Sequence, residues 1–148
     1  MADRASRETS FVMKYLLDTD HCIALVKKSD ALIGRLREHP PSRVRASSIT
    51  MGELHFGATK SKHPDIAAAN IRHILKTLVV VPFDEAAAQA YGPIRAALEH
   101  RGSPIGPLDT LIAAHAAALG WTLVTHNVRE FKRVPNLIIE DWLADPGA

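Results

Sequence analysis

The sequence predicts an α/β fold: a mostly parallel sheet with helices on both faces. Two observations carry this. Short apolar runs alternate with segments of helical periodicity, in the order strand, helices, strand, helices, strand, helix, helix, strand, strand. The runs that end at Leu17 and Val81 are apolar throughout rather than on alternate residues, as in strands covered on both faces. The length of 148 residues suits one domain, since folding at this size buries roughly 70% of the unfolded chain's surface.

The first strand is expected over Lys14–Leu17, followed by a helix through Ile23, Leu25 and Val26 to about Lys28 and a second over Asp30–Glu38. His39-Pro40-Pro41 ends that helix, because a residue before proline is pushed out of the helical region. Arg43–Ala46 reads as a strand, and Ser47-Ser48-Ile49-Thr50 opens a helix to about Lys60. Ile66–Leu75 is another helix, Leu78–Val81 a buried strand closed by Pro82, and Asp84 the cap of an alanine-rich helix to about Arg101. Pro107 suits the first turn of a helix that runs to Leu119, with Gly120 as its stop. Strands over Thr122–Thr125 and Leu137–Glu140 complete the order. Residues 13–143 thus form the domain, with 1–12 as a polar extension and 144–148 as a tail.

Composition narrows the function classes. Hydrophobic residues at 47% and charged residues at 23% are globular values, which excludes a disordered chain. A single cysteine, Cys22, cannot build a disulfide framework, and its apolar setting reads as a buried small hydrophobe. No apolar run approaches the roughly 18 residues of a membrane span, so the expected location is the cytoplasm. A net charge of +2 permits nucleic-acid binding without arguing for it. The basic residues are grouped, however: Arg35, Arg37, Arg43 and Arg45 in one cluster, Arg129, Lys132 and Arg133 in another.

Acids recur where strands end or helices begin. Asp18 and Asp20 follow the first strand, Glu53 falls in the first turn of the helix after the second, and Asp109 lies two residues after Pro107. In a parallel sheet the C-terminal strand ends share one edge, so these positions converge on one crevice. Each has a purely structural explanation as well. Asp18 or Asp20 can cap a helix, Thr50 and Glu53 have capping-box spacing, and Asp109 suits a helix dipole. Together, however, several carboxylates in one crevice repel and raise each other's pKa, a cost that a divalent cation removes. Oxygen ligands without Cys or His select Mg²⁺ or Mn²⁺ over zinc. The chemistry implied is metal-assisted attack of water on a phosphodiester. His21, His55, His115 and His126 lack metal-ligand spacing, though His126, at a strand end, is placed to approach a substrate.

Four segments, in order, resemble the motifs of VapC-type PIN-domain toxins. They are Leu16–Asp20 (Leu-Leu-Asp-Thr-Asp), Ser47–Leu54, Pro104–Ala116 and Leu123–Phe131. The resemblance implies a PIN fold with a five-stranded parallel sheet, a Mg²⁺- or Mn²⁺-dependent endoribonuclease, and a homodimer held inactive by a cognate VapB-like antitoxin. It implies initiator tRNA as a candidate substrate. It also carries Asp18, Glu53 and Asp109 over as metal-binding acids. Where the family often has a fourth Asp this chain has Asn127, as several members of this branch do, and Glu130 lies close enough to substitute. Asp20 stands where many relatives have Asn.

The expected site is therefore Asp18, Glu53 and Asp109 on one ion, with Asn127 orienting phosphate or water. Thr19, Asp20, Ser48, Thr125, His126 and Glu130 are expected to position these groups or the substrate. Two other readings stay open from the residues alone. One is a PIN module that binds RNA or protein without cutting. The other is a haloacid-dehalogenase-type phosphatase, in which Asp18 attacks phosphate and Asp20 is the acid/base; that reading lacks the downstream acid pair at Leu123–Asn127.

Overall fold

Tyr15, Leu16 and Leu17 form strand β1, and their side chains alternate between two cores. In the computed structural model, which describes residues 13–144, helices α1 (Thr19–Val26) and α2 (Asp30–Leu36) follow, then a 3₁₀ turn over Pro41–Arg43. Strand β2 (Val44–Ser47) leads into helix α3 (Ser48–Lys60), helix α4 (Pro64–Ile74) and strand β3 (Val79–Val81). Helices α5 (Glu85–His100) and α6 (Pro107–Leu119) precede strand β4 (Thr122–Val124), the short helix α7 (Val128–Phe131) and strand β5 (Ile139–Glu140). The expected extension over 1–12 and all but Ala144 of the expected tail lie outside the described residues.

The five strands pair in parallel in the order β3-β2-β1-β4-β5. Tyr15, Leu17, Val44, Ala46 and Val124 face one core, closed by Leu54, Ile71, Ile74 and Trp142. Leu16 and Leu123 face the other, with Leu98, Ile112, Ala113 and Phe131. Leu16 is fully buried, so Leu16→Ala would cost about 2–5 kcal/mol. Trp142 stacks on His39 with centroids 4.6 Å apart and meets Tyr15 at 5.0 Å, which pins the segment after β5 over the first core.

The α/β parallel sheet expected from the sequence is the one observed, with differences at its margins. The buried strand expected at Leu78–Val81 is an edge strand, and Val79 is about half exposed because no strand lies beyond it. Arg43 belongs to the 3₁₀ turn, since its N–H bonds the Pro40 carbonyl rather than a strand. Ser47 ends β2 and caps α3 with its hydroxyl, accepting from Ile49 N–H at 3.0 Å. Helix α7 was not expected from the sequence; four residues are too few to show a helical period.

Candidate active site

Because β1, β2 and β4 run in parallel, their C-terminal ends and the helices that follow meet at one edge of the sheet. Asp18 is the first residue beyond β1, where its backbone N–H still bonds Val124 O on β4. It is only 4% exposed. Its Oδ1 accepts the Thr19 N–H at 2.8 Å as the N-cap of α1, and its Oδ2 accepts the Thr125 hydroxyl at 2.7 Å. Asp18, not Asp20, is therefore the helix cap.

Glu53 lies in the second turn of α3 rather than the first, because the helix starts at Ser48. The Thr50–Glu53 capping box does not form, since Ser47 already caps the helix. The Glu53 carboxylate turns instead to α1, where Oε1 accepts the Thr19 hydroxyl at 2.8 Å. The Thr19 side chain thus joins the acid of α3 to the helix that Asp18 caps. Ser48 accepts the Phe83 N–H at 2.9 Å, fixing the chain after β3 to the start of α3.

Asp109 stands in the first turn of α6 and is half-buried. Asn127, the residue before α7, reaches it from the β4 side: its Nδ2 donates to Glu130 Oε2 at 3.0 Å and sits 3.5 Å from Asp109 Oδ2. The amide thus stands between two carboxylates. Its own backbone N–H donates to Thr125 Oγ1 at 3.0 Å. Thr125, just past β4, therefore holds Asp18 on one side and the Asn127 backbone on the other.

The electrostatics follow from this crowding. Burial, reinforced by the charges of Asp20 and Glu53, pushes the Asp18 carboxyl up to about 6 against the opposing bonds from Thr125 and Thr19. Asp109 is pushed up to about 7, first by burial, then by its hydrogen bond with Glu130 and the charges of Asp18, Glu130 and Glu53. Asp20 goes the other way. Burial raises it, but the hydrogen bonds it accepts from His21 and from the His126 N–H more than offset this and hold it below the ordinary carboxylate value.

The histidines sort cleanly. His115 is buried on α6, with Nδ1 2.8 Å from Ser47 Oγ and the ring edge-on to Phe83. Its Nε2 has no partner among the described residues, and burial holds its pKa below the ordinary histidine value. His126 is 63% exposed, and its Nδ1 pairs with Asp141 at 2.9 Å. His21 is buried against Asp20 and Trp142. Sequence reasoning missed His21 and Asp141; only the fold brings residue 21 to residue 142.

An open groove of about 570 Å³ runs beside Glu53, lined by Thr19, Ile23, Ser48, Phe56 and Leu108. The donors near it fit a hard divalent cation. They are carboxylate oxygens, and burial and mutual repulsion hold two of them in a range where a cation would be welcome. Among the described residues no three His, Cys, Asp or Glu side chains stand close enough together, as placed, to hold an ion. Asp109 in the first turn of α6 and Glu53 in the second turn of α3 are both half-buried.

A parallel sheet in the order 3-2-1-4-5 with acids gathered at its C-terminal edge defines a class, and a model of the PIN domain matches residues 9–137. The chain belongs to the PIN-domain family, among the VapC ribonucleases. It is 41% identical over 131 residues to the tRNA(fMet)-specific endonuclease VapC of Salmonella typhimurium, spanning 88% of this chain and 99% of that protein. It is 40% identical over 132 residues to Ribonuclease VapC2 of Rickettsia felis, with 88% and 98% covered. The solved DNA-bound VapBC of Salmonella typhimurium superposes with a TM-score of 0.84 at 42% identity, over 88% of this chain and 99% of that one. The phosphatase reading falls with this placement in the PIN-domain family, and no acid pair follows β4.

Proposed function

We propose that this protein is a metal-dependent endoribonuclease, the toxin of a toxin–antitoxin pair, which hydrolyses phosphodiester bonds in initiator tRNA in the cytoplasm. What supports the reading is that Asp18, Glu53 and Asp109 lie near enough at one sheet edge for their charges to act on one another, in a chain that matches VapC proteins over nearly their whole length. Mg²⁺ is the proposed ion, with Mn²⁺ able to replace it, and Asp18, Glu53 and Asp109 are the groups that would hold it. Bound there, it would supply Lewis acidity toward the phosphodiester and lower the pKa of the attacking water.

The chain's own groups do the rest. Thr125 and the Thr19 amide fix the Asp18 rotamer, and the Thr19 hydroxyl fixes Glu53. Asn127 donates from Nδ2 to Glu130 and reaches Asp109, and its side-chain carbonyl would orient water. Glu130 supplies the fourth carboxylate that relatives place nearer the strand. The groove beside Glu53, with Phe56 and Leu108 on its walls, gives the RNA an apolar bed next to the acids. A VapB-like antitoxin is the proposed restraint and a homodimer the proposed form. No helix among the described residues is long and apolar enough to cross a membrane.

The test uses the antitoxin-free protein on initiator tRNA and on an elongator tRNA, with Mg²⁺, with Mn²⁺ and with EDTA. Cleavage of initiator tRNA that EDTA abolishes and either metal restores is the expected result. RNA binding without cleavage in any metal would make the chain a binding module instead.

A further inference from the structure

Asp20 has no capping duty, yet both of its carboxylate oxygens are in use. Its Oδ1 accepts His21 Nδ1–H at 2.8 Å, and its Oδ2 accepts the His126 backbone N–H at 3.0 Å. His21, fully buried, accepts the Trp142 N–H on its other nitrogen at 3.1 Å. Asp141, next to Trp142 in the chain, takes His126 Nδ1 on Oδ2 at 2.9 Å, while its Oδ1 accepts the Leu143 and Ala144 amides. Asp20, His21, Trp142, Asp141 and His126 thus close a ring of hydrogen bonds around the turn that follows β4.

We propose that Asp20 is a positioning residue whose carboxylate closes this ring and thereby holds the Thr125–Asn127 turn against the site carboxylates. The inference rests on the ribonuclease reading for its kinetic consequence and on geometry for the ring itself. The last ladder bond on β4 is Thr125 N–H to Glu140 O, and the His126 N–H, next in line, is received by Asp20 instead. That amide lies between the Thr125 hydroxyl that grips Asp18 and the Asn127 side chain that spans Asp109 and Glu130.

The ring requires an acceptor at both oxygens of residue 20. Because His21 Nε2 accepts the Trp142 N–H, its proton must sit on Nδ1 and point at Asp20. An asparagine offers one acceptor and one NH₂. Whichever way it turns, its NH₂ faces either the His21 Nδ1–H or the His126 N–H, donor against donor. Swapping the His21 tautomer to relieve this would set Nε2–H against the Trp142 N–H. Asp20 and His21 therefore work as a pair.

The antitoxin-free protein on initiator tRNA in saturating Mg²⁺ is the test. Asp20→Asn is expected to lower kcat by about 10- to 100-fold with KM unchanged, the usual effect of losing an outer partner of a metal site. Unchanged kcat overturns the proposal. His126→Ala removes an exposed link, leaves the melting temperature in place, lowers kcat, and adds no further loss to Asp20→Asn. Independent, additive losses overturn the ring. Nitrogen-15 NMR of the unaltered protein is expected to show His21 Nδ1 protonated and Nε2 bare, and the reverse assignment overturns the ring even if Asp20→Asn fails to fold. A wild-type protein that cuts no RNA overturns the ribonuclease reading, and the nitrogen-15 spectrum then decides the ring alone.

Discussion

Asp18 combines two duties that usually fall to different residues: it caps α1 through Oδ1 and presents a buried carboxylate through Oδ2. Asp18→Asn can keep the cap while removing the charge. It is expected to reduce initiator-tRNA cleavage by at least the roughly 100-fold that outer partners of a metal site can cost, as measured by single-turnover cleavage. The raised pKa values of Asp18, about 6, and Asp109, about 7, also set a pH dependence. Both acids bind protons more tightly folded than at their ordinary 3.8. Their contribution to metal-free stability is therefore full below about pH 4 and lost as pH rises through 6 to 7. A cation needs both groups ionised, so cleavage at limiting Mg²⁺ is expected to rise across the same interval. Raising Mg²⁺ should move the midpoint to lower pH. A pH–rate profile at two Mg²⁺ concentrations checks both. The sequence made these acids legible because Asp18 ends an apolar run, Asp109 follows Pro107, and Glu53 falls early in the helix after the second strand. It could not reveal that Glu53 would bond Thr19 instead of Thr50, because the start of α3 is set by Ser47, buried where β2 ends.

At the scale of elements, the joint between β2 and α3 does the most with the fewest atoms. The Ser47 hydroxyl satisfies the Ile49 amide and is the partner of His115, so it ties the helix of Glu53 to the helix of Asp109. Ser47→Ala leaves a partly buried amide and a buried imidazole nitrogen without this partner. It is expected to cost about 2 kcal/mol or more, seen as a lower urea midpoint with unchanged slope. Strand and helix order could be read from alternation of apolar runs and proline breaks. Two elements could not. The 3₁₀ turn at Pro41–Arg43 and helix α7 are each under two turns, and a period cannot be seen in three or four residues. The exposure of Val79 was equally hidden, because a β-branched run looks the same at a sheet's edge as at its centre.

Across the whole molecule the two basic clusters part company. Arg43 and Arg45 lie where β2 begins, and Arg35 and Arg43 stand near Tyr15, the first residue of β1. They occupy the N-terminal edge of the sheet, away from the acids. Arg129 lies in α7 next to Asn127 and Lys132 ends that helix, while Arg133 reaches the Pro104 carbonyl in the loop that leads to Asp109. Arg129→Ala with Lys132→Ala is accordingly expected to weaken tRNA binding and flatten its dependence on salt, whereas Arg37→Ala with Arg43→Ala leaves both as they were. Filter binding at several ionic strengths separates the pairs. Sequence proximity grouped these charges correctly but gave no way to assign them to opposite edges, which requires the strand direction.

That same direction governs how the protein can be handled. Since β1 enters at the edge remote from the carboxylates, Met13 stands on the far side of the sheet from them. The other terminus is different. Asp141 and Trp142 emerge at the rim of the site, bonded to His126 and His21, so a fusion partner attached just beyond them would pull on the very turn that carries Asn127. Purification strategy and enzymology are, for this chain, the same decision.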